Sequence, residues 1–149
     1  MGFSPFNNEK KSLTFIEVLI VVIIIGILIR ISVVQLKGLY LNLLLKNTCR
    51  QLQSFMNYIS QHSIVRGEVV YLNIDNDNKK YWAEAGDGKI ALRARRIPDA
   101  INIESQKQQI VFYPDAKIDK ITIKLINPDN ESMILTTEGV YGGVKLKEQ

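Results

Sequence analysis

Residues 13–29 read LTFIEVLIVVIIIGILI, an apolar run broken only by Thr14, Glu17 and Gly26. As a helix it is about the minimum that crosses a hydrocarbon core of ~30 Å, and residues 31–34 extend it past Arg30. A helix of a compact soluble domain is apolar on one stripe only, so this segment predicts a single membrane helix. Ahead of it, residues 1–12 carry Pro5, Asn7 and Asn8 and end in Glu9, Lys10, Lys11 and Ser12, which reads as an unstructured leader. Lys10 and Lys11 favour a cytoplasmic N-terminus by the positive-inside rule, although Arg30 and Lys37 lie beyond the far end. The remainder of the chain is then exported. A cleaved secretory signal would continue into small residues, whereas here Ile29, Arg30, Ile31, Ser32 and Val33 follow the apolar core.

Helical periodicity continues beyond the apolar run. Leu41, Leu45, Cys49, Leu52, Phe55 or Met56, Ile59 and Ser63 recur every three to four residues, with Lys46, Asn47, Arg50, Gln51, Gln53 and Asn57 between them. This half is amphipathic and offers one face to a folded domain, with Gly67 as its stop signal. From residue 13 to 66 the helix would run roughly 80 Å, too long for a compact domain of this size.

After Gly67 the period changes to two. Val70, Leu72 and Ile74 alternate with Tyr71 and Asn73, and Asp75, Asn76, Asp77 and Asn78 form a turn before a partner strand over 80–83. Further strands are expected over 90–95, 101–104, 109–113, 120–126, 133–136 and 140–146, with Pro98, Pro114 and Pro128 between them. Short strands at this spacing predict an α+β fold in which the helix packs on an antiparallel sandwich or pair of sheets. The expected organisation is therefore a leader over 1–12, a membrane or filament-core helix over 13–34, its amphipathic continuation over 35–66 and an extracytoplasmic β-domain over 67–149.

Glu17 is the anomaly in this scheme. An acidic side chain costs on the order of 2.5 to 3.5 kcal/mol at the bilayer centre and less towards the interface, so it calls for a partner. Lys10, Lys11, a neighbouring chain or an amino terminus newly made by cleavage could each serve. The segment KKSLTFIEVLIVVIIIGIL resembles the class III signal of type IV pilins and type II secretion pseudopilins. That resemblance implies a type IV pilin-like fold and cleavage by a prepilin peptidase between Ser12 and Leu13. It also implies N-methylation of Leu13 and a role for Glu17, fifth after the cut, in filament assembly. A positive amine on Leu13 would offset burial of a neighbour's Glu17 carboxylate in a low-dielectric medium. Ser12 stands where the family usually has Gly, Leu13 where it has Phe, and Val34 where many members have a helix-kinking Pro. A plain membrane anchor with an incidental acid is the alternative.

Downstream, SIVRGEVVYLNID with KKYW, RRIPDAINI, QIVFYPDA and TTEGVYGGVKL resemble, in order, segments of the H-type minor pseudopilins and FimT-like pilins. Ala116 departs from the Gly that often follows the Pro-Asp pair in that group. The resemblance implies a minor subunit near the tip of a periplasmic pseudopilus of a type II secretion system. Its partners would be other pseudopilins or pilins, the prepilin peptidase and the inner membrane. The alternative is a FimT-like minor type IV pilin in pilus assembly or DNA uptake.

The net charge of +4 permits contact with nucleic acid or anionic lipid without requiring it. Arg93, Arg95 and Arg96, with Lys145 and Lys147, are the candidate DNA-contacting residues, although a solvated strand face is the default for such a cluster. Calcium at the 75–78 turn fails the EF-hand pattern, since Lys80 and Gly86 stand where Gly and Glu would be needed. Cys49 and His62 lie thirteen residues apart on the helix, too far to share a zinc ion without further ligands. No metal, cofactor or catalytic residue is therefore assigned, and no phosphate loop, nucleophile elbow or catalytic carboxylate pair marks an enzyme. A single cysteine allows no internal disulfide, so it leaves the redox compartment open.

Overall fold

The computed structural model describes residues 14–138 and 143–148, with positions 32–35, 90, 91 and 148 given for the backbone only. The order of elements is one helix, α1 (Phe15–Arg66), followed by eight strands. These are β1 (Val70–Asp75), β2 (Lys80–Ala85), β3 (Ile90–Arg96), β4 (Asn102–Ser105), β5 (Gln109–Phe112), β6 (Thr122–Ile126), β7 (Ser132–Thr137) and β8 (Val144–Glu148). The chain divides into two compact units, Met1–Lys37 and Gly38–Gln149.

In the first unit α1 is continuous through Val34, so the absence of a proline there coincides with an unbroken backbone helix. Every described side chain over 14–31 is exposed.

In the second unit the expected stripe of α1 is the buried one: Leu41, Leu45, Cys49, Leu52, Phe55, Met56, Ile59 and Ser63 are all buried. The helix ends as expected at Gly67. Its φ of 67° is the left-handed conformation that glycine adopts without a Cβ clash, and its amide donates to the Ser63 carbonyl at 2.9 Å. The Ser63 hydroxyl is directed to the carbonyls of Glu68 and Phe112, tying the helix end to β5.

The strands form two four-stranded antiparallel sheets, ordered β3-β2-β1-β5 and β4-β6-β7-β8. The expected β1–β2 hairpin is present, with Val70 opposite Ala85 and Asp75 opposite Lys80. Its turn is held by Asp75, whose two carboxylate oxygens accept from the backbone and side-chain amides of Asn78. Strands β4 and β5, neighbours in sequence, enter different sheets. β4 pairs with β6, while β5 returns to β1, with Asn73 opposite Gln109. Each strand of regular register alternates buried and outward residues, and both sheets contribute to one core with α1.

Three side chains hold the connections. Lys79 donates through Nζ to the carbonyls of Asp99 and Ile101 and to Asn102 Oδ1, fastening the crossover from the first sheet to the second. Asn127 is buried in the β6–β7 turn. Its Oδ1 accepts from the amides of Asp129 and Glu131, and its Nδ2 donates to Glu131 Oε2 at 2.7 Å. The other oxygen of Glu131 accepts from Asn42 on α1. Thr137, also buried, accepts the Ile121 amide at 2.9 Å.

Ala116 sits at φ 65°, in the turn after β5, where its amide donates to the Tyr113 carbonyl. A left-handed conformation costs an L-residue about 1 kcal/mol and glycine almost nothing. The departure at this position thus falls where the backbone favours Gly.

Candidate functional site

Among the described residues one helix, α1, is long and apolar enough to cross a membrane, and none of its apolar window is buried within the protein. Phe15 is 84% exposed, and the aliphatic side chains that follow it stand clear of any core. Glu17 lies in the first turn of this stretch, its amide donating to the Thr14 carbonyl at 3.0 Å. A carboxylate there is favoured by the positive end of the helix dipole by roughly 0.3–1 kcal/mol, well short of its cost in lipid. Ser12 and Leu13, the expected cleavage and methylation positions, lie outside the described residues.

The five candidate DNA-contacting residues fall on two sheets. Arg93, Arg95 and Arg96 are on β3, an edge of the first sheet, and Lys145 and Lys147 are on β8, an edge of the second. A bulge in the β2–β3 pairing places Arg95 opposite the core residue Tyr81. There its guanidinium carbon lies 5.4 Å from the centre of the Phe55 ring, and Phe55 in turn packs edge-on against Tyr81. Arg96 pairs with Asp99 at 3.0 Å and Lys145 with Glu138 at 2.8 Å. Simple alternation expects Arg93 and Arg95 on one solvated face; the inserted residue separates Arg95 from that pattern.

Cys49 is fully buried, and burial pushes its thiol up to about 12, far from the range of a reactive thiolate. His62 is partly buried, with Nδ1 lacking a hydrogen-bond partner and Glu68 Oε1 3.9 Å away. Among the described residues no cluster of His, Cys, Asp or Glu is arranged to hold a metal ion. Asp75 is committed to Asn78, whose hydrogen bonds hold its carboxyl below the usual carboxylate range.

One further surface emerges only from the cross-strand register. On the outward face of the first sheet Trp82, Asn73 and Gln109 stand abreast on β2, β1 and β5. With Gln108, Asp75 and Asp77 they line an open depression of about 600 Å³. The indole Nε1 donates to Glu84 Oε1 at 2.6 Å, and Gln109 Nε2 to Asn73 Oδ1 at 3.0 Å. The only sequence signal for this site is the outward parity of each residue in its own strand.

A long N-terminal helix followed by two antiparallel sheets on a shared core is the type IV pilin-like fold. The minor pseudopilin EpsH of the type II secretion system of Vibrio cholerae has the same fold, with a TM-score of 0.60 over 70% of this chain and 96% of EpsH at 12% identity. The type IV minor pilin FimU of Pseudomonas aeruginosa matches at a TM-score of 0.57 over 69% of this chain and 92% of FimU, at 13% identity. In sequence, no family model and no curated protein matches the chain.

Proposed function

We propose that the chain is an H-type minor pseudopilin, a structural rather than enzymatic subunit at or near the tip of a periplasmic pseudopilus in type II protein secretion. The observation that carries this reading is the apolar start of α1, exposed at every residue over 15–31, with one acid, Glu17, in its first turn, joined to a pilin-like domain. Such a helix needs surroundings as apolar as itself. Lipid supplies them in the inner membrane, and the helices of other pseudopilins or pilins supply them in a filament. Glu17 then finds its counter-charge in the Leu13 amine of a neighbour, once a prepilin peptidase has cut after Ser12 and methylated the new terminus. Lys10 and Lys11 keep the leader cytoplasmic, and residues 67–149 lie in the periplasm.

Two measurements test this. Mass spectrometry of the native protein is expected to find a mature chain starting at N-methylated Leu13; an intact leader in assembled filaments would remove the Leu13–Glu17 pairing. Glu17→Gln is expected to insert into membranes as well as wild type but to fall in sheared filaments, and Glu17→Val to insert still better without assembling better. If both variants join filaments normally, Glu17 is incidental to a plain anchor.

A second reading, a FimT-like minor type IV pilin in pilus assembly or DNA uptake, is supported by the likeness to FimU. It requires Arg93, Arg95, Arg96, Lys145 and Lys147 to contact nucleic acid. Three of the five already have partners in Phe55, Asp99 and Glu138, which argues for structural roles. DNA affinity falling steeply with salt and lost on Arg93→Ala with Lys147→Ala would favour this reading over the first.

A further inference from the structure

We propose that the outward face of the β5-β1-β2 strip, at its 76–79 turn end, binds a neutral polysaccharide, stacking a sugar ring on Trp82 and hydrogen-bonding its hydroxyls to Asn73 and Gln109. The inference stands independently of the filament reading. Asn73 is the direct cross-strand partner of both Trp82 and Gln109, so the three side chains form a row roughly 10 Å wide across adjacent strands. The depression they line, about 600 Å³, falls within the ~300–1,000 Å³ of small-molecule sites.

The chemistry of the lining selects the ligand. A pyranose presents an apolar C–H face and a rim of hydroxyls that each donate and accept. An indole matches the first and a pair of carboxamides the second. The bond from Gln109 Nε2 to Asn73 Oδ1 engages one atom of each carboxamide, and the pair still offers a donor in Asn73 Nδ2 and an acceptor in Gln109 Oε1, the two functions that sugar hydroxyls need. Trp82 is held by its bond to Glu84, so little side-chain freedom is lost on binding. Asp75 and Asp77 repel polyanions, which disfavours nucleic acid at this face. A divalent cation is disfavoured because both oxygens of Asp75 accept from Asn78.

Trp82 is the single tryptophan of the chain, so its fluorescence reports this site alone. The full chain in a sugar-free detergent is titrated with chitotetraose, cellotetraose, heparin and calcium chloride. The expected result is a saturable change in emission with one or both neutral oligosaccharides, with a Kd on the order of 1 mM for so open a site. A response to chitotetraose alone points to an amino-sugar polymer of the cell-wall type, and one to cellotetraose alone to a glucan. Asn73→Ala and Gln109→Ala retain the reporter and are expected to weaken binding about tenfold, roughly one lost polar contact each. Trp82→Ala, checked by circular dichroism for its fold, is expected to abolish binding by calorimetry. No saturable response to either oligosaccharide at concentrations on the order of 10 mM overturns the proposal. A response to heparin or calcium alone, or one unchanged in both amide variants, overturns it as well.

Discussion

The two halves of α1 draw on the same aliphatic residues and treat them in opposite ways. In the first, Leu19 is 46% exposed and every described side chain from 14 to 31 is open; in the second, Leu52 is 1% exposed and the residues two positions either side are polar or outward. What separates them is how often, and at what spacing, polar residues interrupt the helix. Where Lys46, Asn47, Arg50 and Gln51 interrupt the helix, one stripe is left that two sheets can cover, and each buried aliphatic contributes about 1.5–3 kcal/mol. Where almost nothing polar interrupts it, no stripe is defined and the same residue types stay exposed.

The largest effect should come from emptying the covered stripe. Leu52→Ala is expected to lower the stability of the domain by ~2–5 kcal/mol in chemical denaturation of the full chain, because the site is enclosed by helix and sheets. Leu19→Ala is expected to change the same transition by less than ~0.5 kcal/mol. Equal losses from the two would erase the distinction between the halves.

A smaller loss, ~1–3 kcal/mol, is expected for Asn127→Ala, which removes the buried side chain that accepts from the part-buried amides of Asp129 and Glu131. Glu131 also holds Asn42, near where the buried stripe begins, so this variant asks whether the turn defines that boundary. Faster amide exchange at residues 38–45, with residues 52–63 unchanged, would say that it does. Exchange rising equally along the whole covered half would assign the boundary to the core instead.

Ala116→Gly should act in the opposite direction, raising the melting transition of the domain by an amount worth ~1 kcal/mol as the φ of 65° is relieved. A decrease would mean that the entropy glycine adds to the unfolded chain outweighs the strain.

The smallest effect is a pH dependence at the contact between the covered half and the first sheet. Burial raises the Tyr81 hydroxyl above its ordinary value, and Arg95 partly opposes the shift. A folded-state pKa raised above about 10 means that the stabilisation is complete below that pH and is lost as pH climbs through the folded value. Tyr81→Phe should therefore flatten the alkaline fall in stability relative to wild type. Parallel curves would place the titrating group elsewhere.

Much of this architecture is legible in the amino-acid sequence. The stripe from Leu41 to Ser63, the stop at Gly67 and the first hairpin follow from periods of 3.6 and 2 and from turn chemistry, all local signals. Glu17 stands out in the sequence for a different reason, because one acid in an apolar run is costly when that run enters an equally apolar environment. The role of Ala116 is half legible, as a departure whose meaning depends on its φ angle.

Long-range pairing is not legible in the same way. Sequence alone determined a membrane-length apolar helix, its amphipathic continuation and an antiparallel β-domain, because these depend on which residue types recur at which spacing. Tertiary structure decided that β4 and β5 part into different sheets, that a bulge brings Arg95 over Phe55, and that Trp82, Asn73 and Gln109 form one row. Those outcomes depend on register between strands far apart in the chain, and a shift of one residue would turn every side chain to the other face while leaving each strand's own pattern unchanged.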